Sequence, residues 1–191
     1  MNPLLIQIPD VLETPRLLLQ APRAGEAEEI NQAVTESLNE LRPWMPWANV
    51  EPTMESTRVY CQSAIARHAS REEIAYRIRQ RETELFLGTI SLPRPDWSVA
   101  RCEIGYWLRR SQARHGYMTE AVRALAAMAL ATIGIARLEI RCDEQNAASR
   151  CVAERAGFEL EGIFRQFSRD TQGRLANMCV YSRCRMLETR N

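Results

Sequence analysis

Hydrophobic spacing along this chain switches from period two to helical and back several times, and the order of those switches leaves few folds open. Residues 16–22 alternate like a strand, and residues 24–38 carry apolar or small side chains near helical spacing. Residues 53–68 predict a second helix. From Ile74 the period falls toward two, so 74–79, 85–92 and 101–108 read as successive strands. Residues 117–132 form a strongly apolar, alanine-rich stretch that predicts a helix, 137–143 alternate cleanly as a strand, and 146–156 predict a helix closed by Gly157. A last strand pair, 158–169 and 176–186, surrounds Asp170-Thr171-Gln172-Gly173. Strands that first cluster and then alternate with helices predict an α/β (mixed α+β) class, with a mixed sheet covered by helices on both faces. Internal repeats and linker-like tracts are absent from the sequence, which predicts one domain over 1–191 with a core at about 14–186.

Composition narrows the function classes. At 191 residues, with 46% hydrophobic and 26% charged residues, the chain can bury a sizeable core. Its first residues, Met1-Asn2-Pro3-Leu4-Leu5-Ile6, lack a basic region leading into an apolar run, and nothing later approaches the ~18–20 apolar residues of a membrane helix. The expectation is a cytoplasmic protein without a membrane partner. Cys61, Cys102, Cys142, Cys151, Cys179 and Cys184 form no C-x-x-C pair and read as free thiols. His68 and His115 have no metal-ligand spacing, so no metal is expected. A net charge of +1, with Arg and Glu interleaved, gives no basic field for nucleic acid. All 25 basic residues are arginines. Lysine is therefore unavailable as base or Schiff-base former, and anion binding falls to arginine forks and backbone amides.

Three segments and one loop carry a resemblance. Glu103-Ile104-Gly105-Tyr106-Trp107-Leu108 leads into Gly116-Tyr117-Met118-Thr119-Glu120-Ala121, and Cys142 to Ser149 continues to Ala156-Gly157-Phe158. Glu161-Gly162-Ile163-Phe164-Arg165 follows, with Gly173 and Tyr181 beyond it, and Leu41-Arg42-Pro43-Trp44 lies upstream. In order and spacing these resemble the GNAT N-acetyltransferases, in particular the RimJ/RimL-like branch, whose known members acetylate the N-terminal amine of ribosomal proteins. The resemblance implies a mostly antiparallel mixed sheet of about seven strands flanked by about four helices, splayed between strands four and five. It also implies acetyl-CoA as co-substrate. The family's phosphate loop is degenerate here: in Ala113-Arg114-His115-Gly116-Tyr117-Met118 only Gly116 survives, and Arg114 stands where a further glycine is common.

A turn opening into a helix N-terminus offers unpaired amides and a favourable dipole to phosphates. Arg114, His115, Gly116, Tyr117, Met118 and Thr119 fit that role, with Arg109 and Arg110 beside the turn as anion contacts or as solvated surface charges. The resemblance places pantetheine along the edge formed by Tyr106, Trp107 and Leu108, and CoA contacts at Asn146 and Ser149, which also fit an ordinary helix cap. Acetyl transfer needs a neutral amine, and an α-amine with a pKa near ~7.7–8.0 asks little of a base. Glu103 and Glu161 are the candidate bases, acting through a water. For Glu103 the alternative is pairing with an arginine that organises the sheet. The resemblance puts Cys142 near the thioester, while alternation with Leu138 and Ile140 makes it equally a small buried hydrophobe. Direct attack by the amine requires no acetyl-cysteine. Trp44 and Trp47 lie in the region that walls the acceptor groove in the family, either gripping an acceptor or anchoring the loop. The expected acceptor is a protein N-terminus, the alternatives being a small amine such as a polyamine, an antibiotic or an amino acid, or a CoA-binding module without catalysis. A homodimer is compatible with the apolar helices and with a C-terminal strand able to pair.

Overall fold

A computed structural model describes residues 3–185, in which the chain forms four α-helices and nine strands. In order these are β1 (Val11–Glu13), β2 (Leu17–Gln20), α1 (Ala27–Leu41), α2 (Met54–Ala69), β3 (Glu73–Gln80) and β4 (Phe86–Pro93). Then come β5 (Arg101–Glu103), β6 (Gly105–Leu108), α3 (Tyr117–Ala131), β7 (Arg137–Asp143), α4 (Ala147–Arg155), β8 (Glu159–Arg169) and β9 (Leu175–Cys184). Met186, expected to end the last strand, lies outside the described residues.

Local chemistry accounts for the helices. In α1, Ile30, Val34, Leu38 and Leu41 recur at helical spacing and are buried, while Glu28 and Glu29 in the first turn complement the dipole. A reciprocal capping box between Thr53 and Ser56 starts α2. The Asn146 side chain accepts from the Ser149 amide and starts α4. Helix α3 buries nine of its 15 residues, and its alanines let it pack close against the strands beneath.

The strands form two sheets rather than one, with orders β1-β2-β3-β4-β6 and β5-β7-β9-β8. The stretch 101–108, expected as a single strand, breaks at Ile104. Its first half pairs in parallel with β7, whereas its second half turns to pair antiparallel with β4. This break and the short β1 raise the strand count above the seven expected. Every pairing except β5/β7 is antiparallel. The main core joins α3 to the inner faces of both sheets, and a second cluster sits under α1 around Phe86 and Trp107.

Strand β3 is buried on both faces. Ile74, Tyr76 and Ile78 face the main core, and the alternate Arg77 and Arg79 lie beneath α1. There Arg77 Nε donates to Glu26 at 3.0 Å, and Arg79 pairs with Glu29 and Glu26. Pro46 opens a short 3-10 turn over Pro46–Asn49, because proline's fixed φ suits the first position of a helical turn.

Candidate functional site

The break at Ile104 builds the site. Up to Glu103 the chain is held to β7, with Glu103 opposite Glu139 and the Ile104 amide donating to the Glu139 carbonyl at 2.7 Å. From Gly105 the backbone leaves for β4, so β6 and the far half of β7 diverge with no strand between them. A cleft of about 290 Å³ opens there, lined by Glu103, Gly105, Tyr106, Cys142, Asn146 and Ser149 among others. Pro43 and Trp44 of the loop after α1, and Asp170 and Thr171 of the β8–β9 turn, form its outer wall, and the Thr171 hydroxyl donates to the Pro43 carbonyl at 3.3 Å.

A pair of hydroxyl groups joins β6 to the start of α4. Tyr106 Oη lies 2.9 Å from Ser149 Oγ, and Ser149 in turn gives its amide to Asn146 Oδ1 at 3.0 Å. Burial pushes the Tyr106 phenol well above its usual range, so it stays protonated. Burial also raises the Cys142 thiol to about 11, and Cys142 is a thiol rather than a thiolate near neutrality. Glu103 is half-buried in this cleft. Its carboxylate has no hydrogen bond or ion pair with the described residues, so the arginine-paired alternative does not hold. Burial raises its pKa, Arg141 opposing and Glu139 adding to the effect.

Glu161 is placed differently. Both its oxygens take hydrogen bonds from Arg137, and Ser182 donates a third at 2.6 Å. These partners lower its pKa to about 2, and it lies outside the cleft lining. A carboxylate so held is a weak proton acceptor.

Beyond β6 the chain reaches the N-terminus of α3. Gly116 takes a left-handed φ of 78° as the N-cap, with no side-chain cap hydrogen bond. The first-turn amides of Tyr117, Met118 and Thr119 precede the helix's own hydrogen bonding, which begins with the Glu120 amide on the Gly116 carbonyl. Arg114, where the family favours glycine, holds a positive φ of 67° and has no side-chain partner among the described residues. Arg109 and Arg110 pair instead with Glu36 and Glu40 of α1. The His115 ring stacks on Tyr117. Arg16, which sequence reasoning passed over, pins the turn: it donates to the His115 carbonyl at 3.0 Å and pairs with Glu120. It lies about a hundred residues upstream, in the bend just before β2, and carries no local motif.

Alternation along β6 separates the residues read together from sequence. Tyr106 and Leu108 pack against the main core, whereas Trp107 points under α1 between Phe86 and Trp47, at 5.9 and 6.2 Å. The two loop tryptophans also part company. Trp44 lines the cleft, and Trp47 lines a second cavity on the α1–α2 face. No described helix is long and apolar enough to cross a membrane, and the described residues hold no group of three or more His, Cys, Asp or Glu placed for a metal.

Comparison with known proteins accounts for this geometry. The chain is 27% identical over 157 residues to the uncharacterized N-acetyltransferase YoaA of Bacillus subtilis (strain 168), covering 82% of this chain and 87% of that one. It is 29% identical over 150 residues to the ribosomal-protein-serine acetyltransferase of Escherichia coli (strain K12), covering 78% and 83%. Among solved structures, RimL, a ribosomal L7/L12 alpha-N-protein acetyltransferase in complex with coenzyme A, superposes with a TM-score of 0.85 at 26% identity over 91% of this chain and 97% of that one. A family model described as an acetyltransferase (GNAT) domain matches residues 16–159. With three quarters of its length under that model, the chain belongs to the GNAT family and is an acetyl-CoA-dependent N-acetyltransferase.

Proposed function

We propose that this enzyme acetylates the α-amine of a protein N-terminus, a ribosomal protein foremost, in the cytoplasm where acetyl-CoA and such termini meet. The observation that carries the reading is Glu103: an unpaired, half-buried carboxylate in the cleft between β6 and β7. The ribosomal acceptors named for the RimL-like relatives support the choice of amine.

The α3 amides after Gly116, with Arg114, hold the CoA phosphates, and the free edge of β6 takes the pantetheine amides. Acetyl-CoA supplies a thioester whose carbonyl carbon is the electrophile. Glu103 accepts the ammonium proton of the acceptor through a water, which leaves the nitrogen lone pair free to form the C–N bond. As the C–S bond breaks, the second proton of the attacking nitrogen passes along the hydroxyl pair of Ser149 and Tyr106 to the departing thiolate, leaving a neutral amide, the free CoA thiol and both hydroxyls protonated. Cys142 stays a thiol throughout and packs the cleft.

The protein acts as a dimer of like chains in this reading. The partner edge is β8 and not the C-terminal strand, since β9 lies between β7 and β8. On β8 Leu160, Ile163, Phe164 and Phe167 are exposed, with Glu159 and Glu161 at one end and Arg165 and Arg169 at the other, a charge order that complements itself when two copies run antiparallel.

The test is acetyl-CoA turnover, followed as thiol release and as the acetylated acceptor by mass spectrometry. One panel holds N-terminal peptides and the other holds polyamines, amino acids and aminoglycosides. Acetylation confined to peptide α-amines upholds the reading. Turnover on the small-amine panel alone transfers the enzyme to small-molecule acceptors.

A further inference from the structure

The parted strands open on a second space. On the α1–α2 face of the larger sheet lies a cavity of about 600 Å³, within the ~300–1,000 Å³ typical of small-ligand sites. Its walls are Ile30 and Val34 of α1, Met45 and Trp47 of the following loop, and Trp107 and Tyr106 of β6. Gly105, Tyr106 and Met45 line both this cavity and the cleft that holds Glu103, so the two are continuous beside the proposed base.

The floor is what makes the cavity large. Thr89 and Ser91 of β4 lie opposite Trp107 and Gly105 in the sheet register, so a row of small side chains faces the space. Gly105 has no conformational need to be glycine. Its φ is not in the left-handed region, and an added Cβ would meet only Ser91 Oγ, at 4.0 Å. Glycine inside a strand weakens it and marks a place kept clear for something else. Here it keeps the floor open next to Glu103.

Charge narrows the occupant. No arginine lines the cavity, while the carboxylates of Glu51 and Glu73 do; Glu73 is paired with Arg67, and Glu51 has no partner among the described residues. An anionic acceptor group would be repelled and an ammonium attracted. Tyr60 adds direction. Its hydroxyl oxygen accepts from Arg77 Nη1 at 3.2 Å, so its own proton is free to donate to an acceptor carbonyl or hydroxyl in the cavity.

We infer that this cavity is a specificity pocket for a bulky apolar or aromatic group attached next to the acceptor amine, either the first side chain of a peptide or the body of an aromatic amine. The inference rests on the acetyl-transfer reading above. A serine side chain, little larger than one water at ~30 Å³, would leave most of the space filled with solvent. The pocket therefore points to a first residue other than the serine named for the Escherichia coli relative.

The experiment measures kcat/KM for matched peptides beginning with Phe, Leu, Met, Ala or Ser, alongside 2-phenylethylamine, with the intact protein and acetyl-CoA. The same assays use Ser91→Phe, which fills the floor, and Trp47→Ala, which removes a wall. Calorimetric acetyl-CoA affinity of each variant serves as the control for folding. The inference predicts that Phe, Leu and Met termini exceed Ser by about tenfold or more, and that both variants erase the preference with acetyl-CoA affinity unchanged. Turnover of 2-phenylethylamine without peptide turnover assigns the pocket to a free aromatic amine. Serine termini equal to or better than the apolar ones overturn the pocket assignment and leave acetyl transfer standing. Acetyl-CoA binding without turnover of any amine overturns the transfer reading itself.

Discussion

Two carboxylates read alike in the sequence are opposites in the folded chain. Glu103 stands unpaired, with its pKa raised by burial, whereas Glu161 is held by Arg137 and Ser182 at about 2. The signs of their stability effects differ accordingly. Folded Glu103 keeps its proton above the ~4.3 of an unfolded glutamate, so stability falls as pH rises from there through the raised folded value. Glu103→Gln, which has no proton to lose, is expected to gain stability relative to the parent between acid and alkaline pH, as read by urea midpoints at both ends; an unchanged difference would show that burial does not act on this group. Glu161 contributes above its unfolded pKa and loses that contribution as pH falls toward about 2. Cys142 offers a separate check. Being buried and protonated, it predicts that Cys142→Ala lowers turnover by less than about tenfold, against the ~10²–10⁴-fold expected for loss of a group that transfers protons. Glu103, Tyr106, Cys142, Asn146 and Ser149, all singled out from sequence, line one cleft because β5, β6, β7 and the start of α4 surround the strand break. Sequence spacing could not rank the two glutamates, since the partners of Glu161 come from β7 and β9.

Elements carry the next set of consequences. Gly88 on β4 faces the backbone of β6: a Cβ built there would stand 2.2 Å from the Trp107 carbonyl oxygen and 3.0 Å from Leu108 Cα. Gly88→Ala must push β6 away, and β6 is one lip of the cleft. The expected cost is about 1–3 kcal/mol by denaturant unfolding, together with weakened acetyl-CoA binding; wild-type behaviour in both would mean that β6 moves without consequence. Beneath α1, Arg77 is fully buried with Glu26 as its ionic partner. Glu26→Ala leaves that charge uncompensated and should cost about 3–5 kcal/mol, measurable as a lower urea midpoint. The alternation of β3 was visible in sequence, but the burial of its arginine face was not. Only the packing of α1 over that face, with Glu26 and Glu29 at its start, turns it into an interior ion network. The break at Ile104 was likewise hidden, because a strand that changes partners keeps its period of two throughout.

At the scale of the whole molecule the two sheets part at one point, and the groups assigned to the proposed reaction that meet in the cleft there are the edge of β6, hydroxyls from β6 and α4, and a carboxylate from β5. Element order was legible from the sequence because the apolar stripes of α1 and α3 and the alternation of the strands are local properties. The division into two sheets, the β8 edge and the cavity over Gly105 depend on contacts between distant segments, and no local signal carries them. Ultracentrifugation should find a dimer that Phe164→Arg shifts toward monomer; a monomer at assay concentration would remove the β8 interface. The account stands most directly on the pH dependence of acetyl-CoA thiol release with a peptide acceptor, compared between the parent and Glu103→Gln. It predicts a parent rate that climbs with pH as Glu103 loses its proton, and a variant slower by ~10²–10⁴-fold near neutrality with acetyl-CoA affinity intact. A Glu103→Gln variant that matches the parent at neutral and alkaline pH would contradict it.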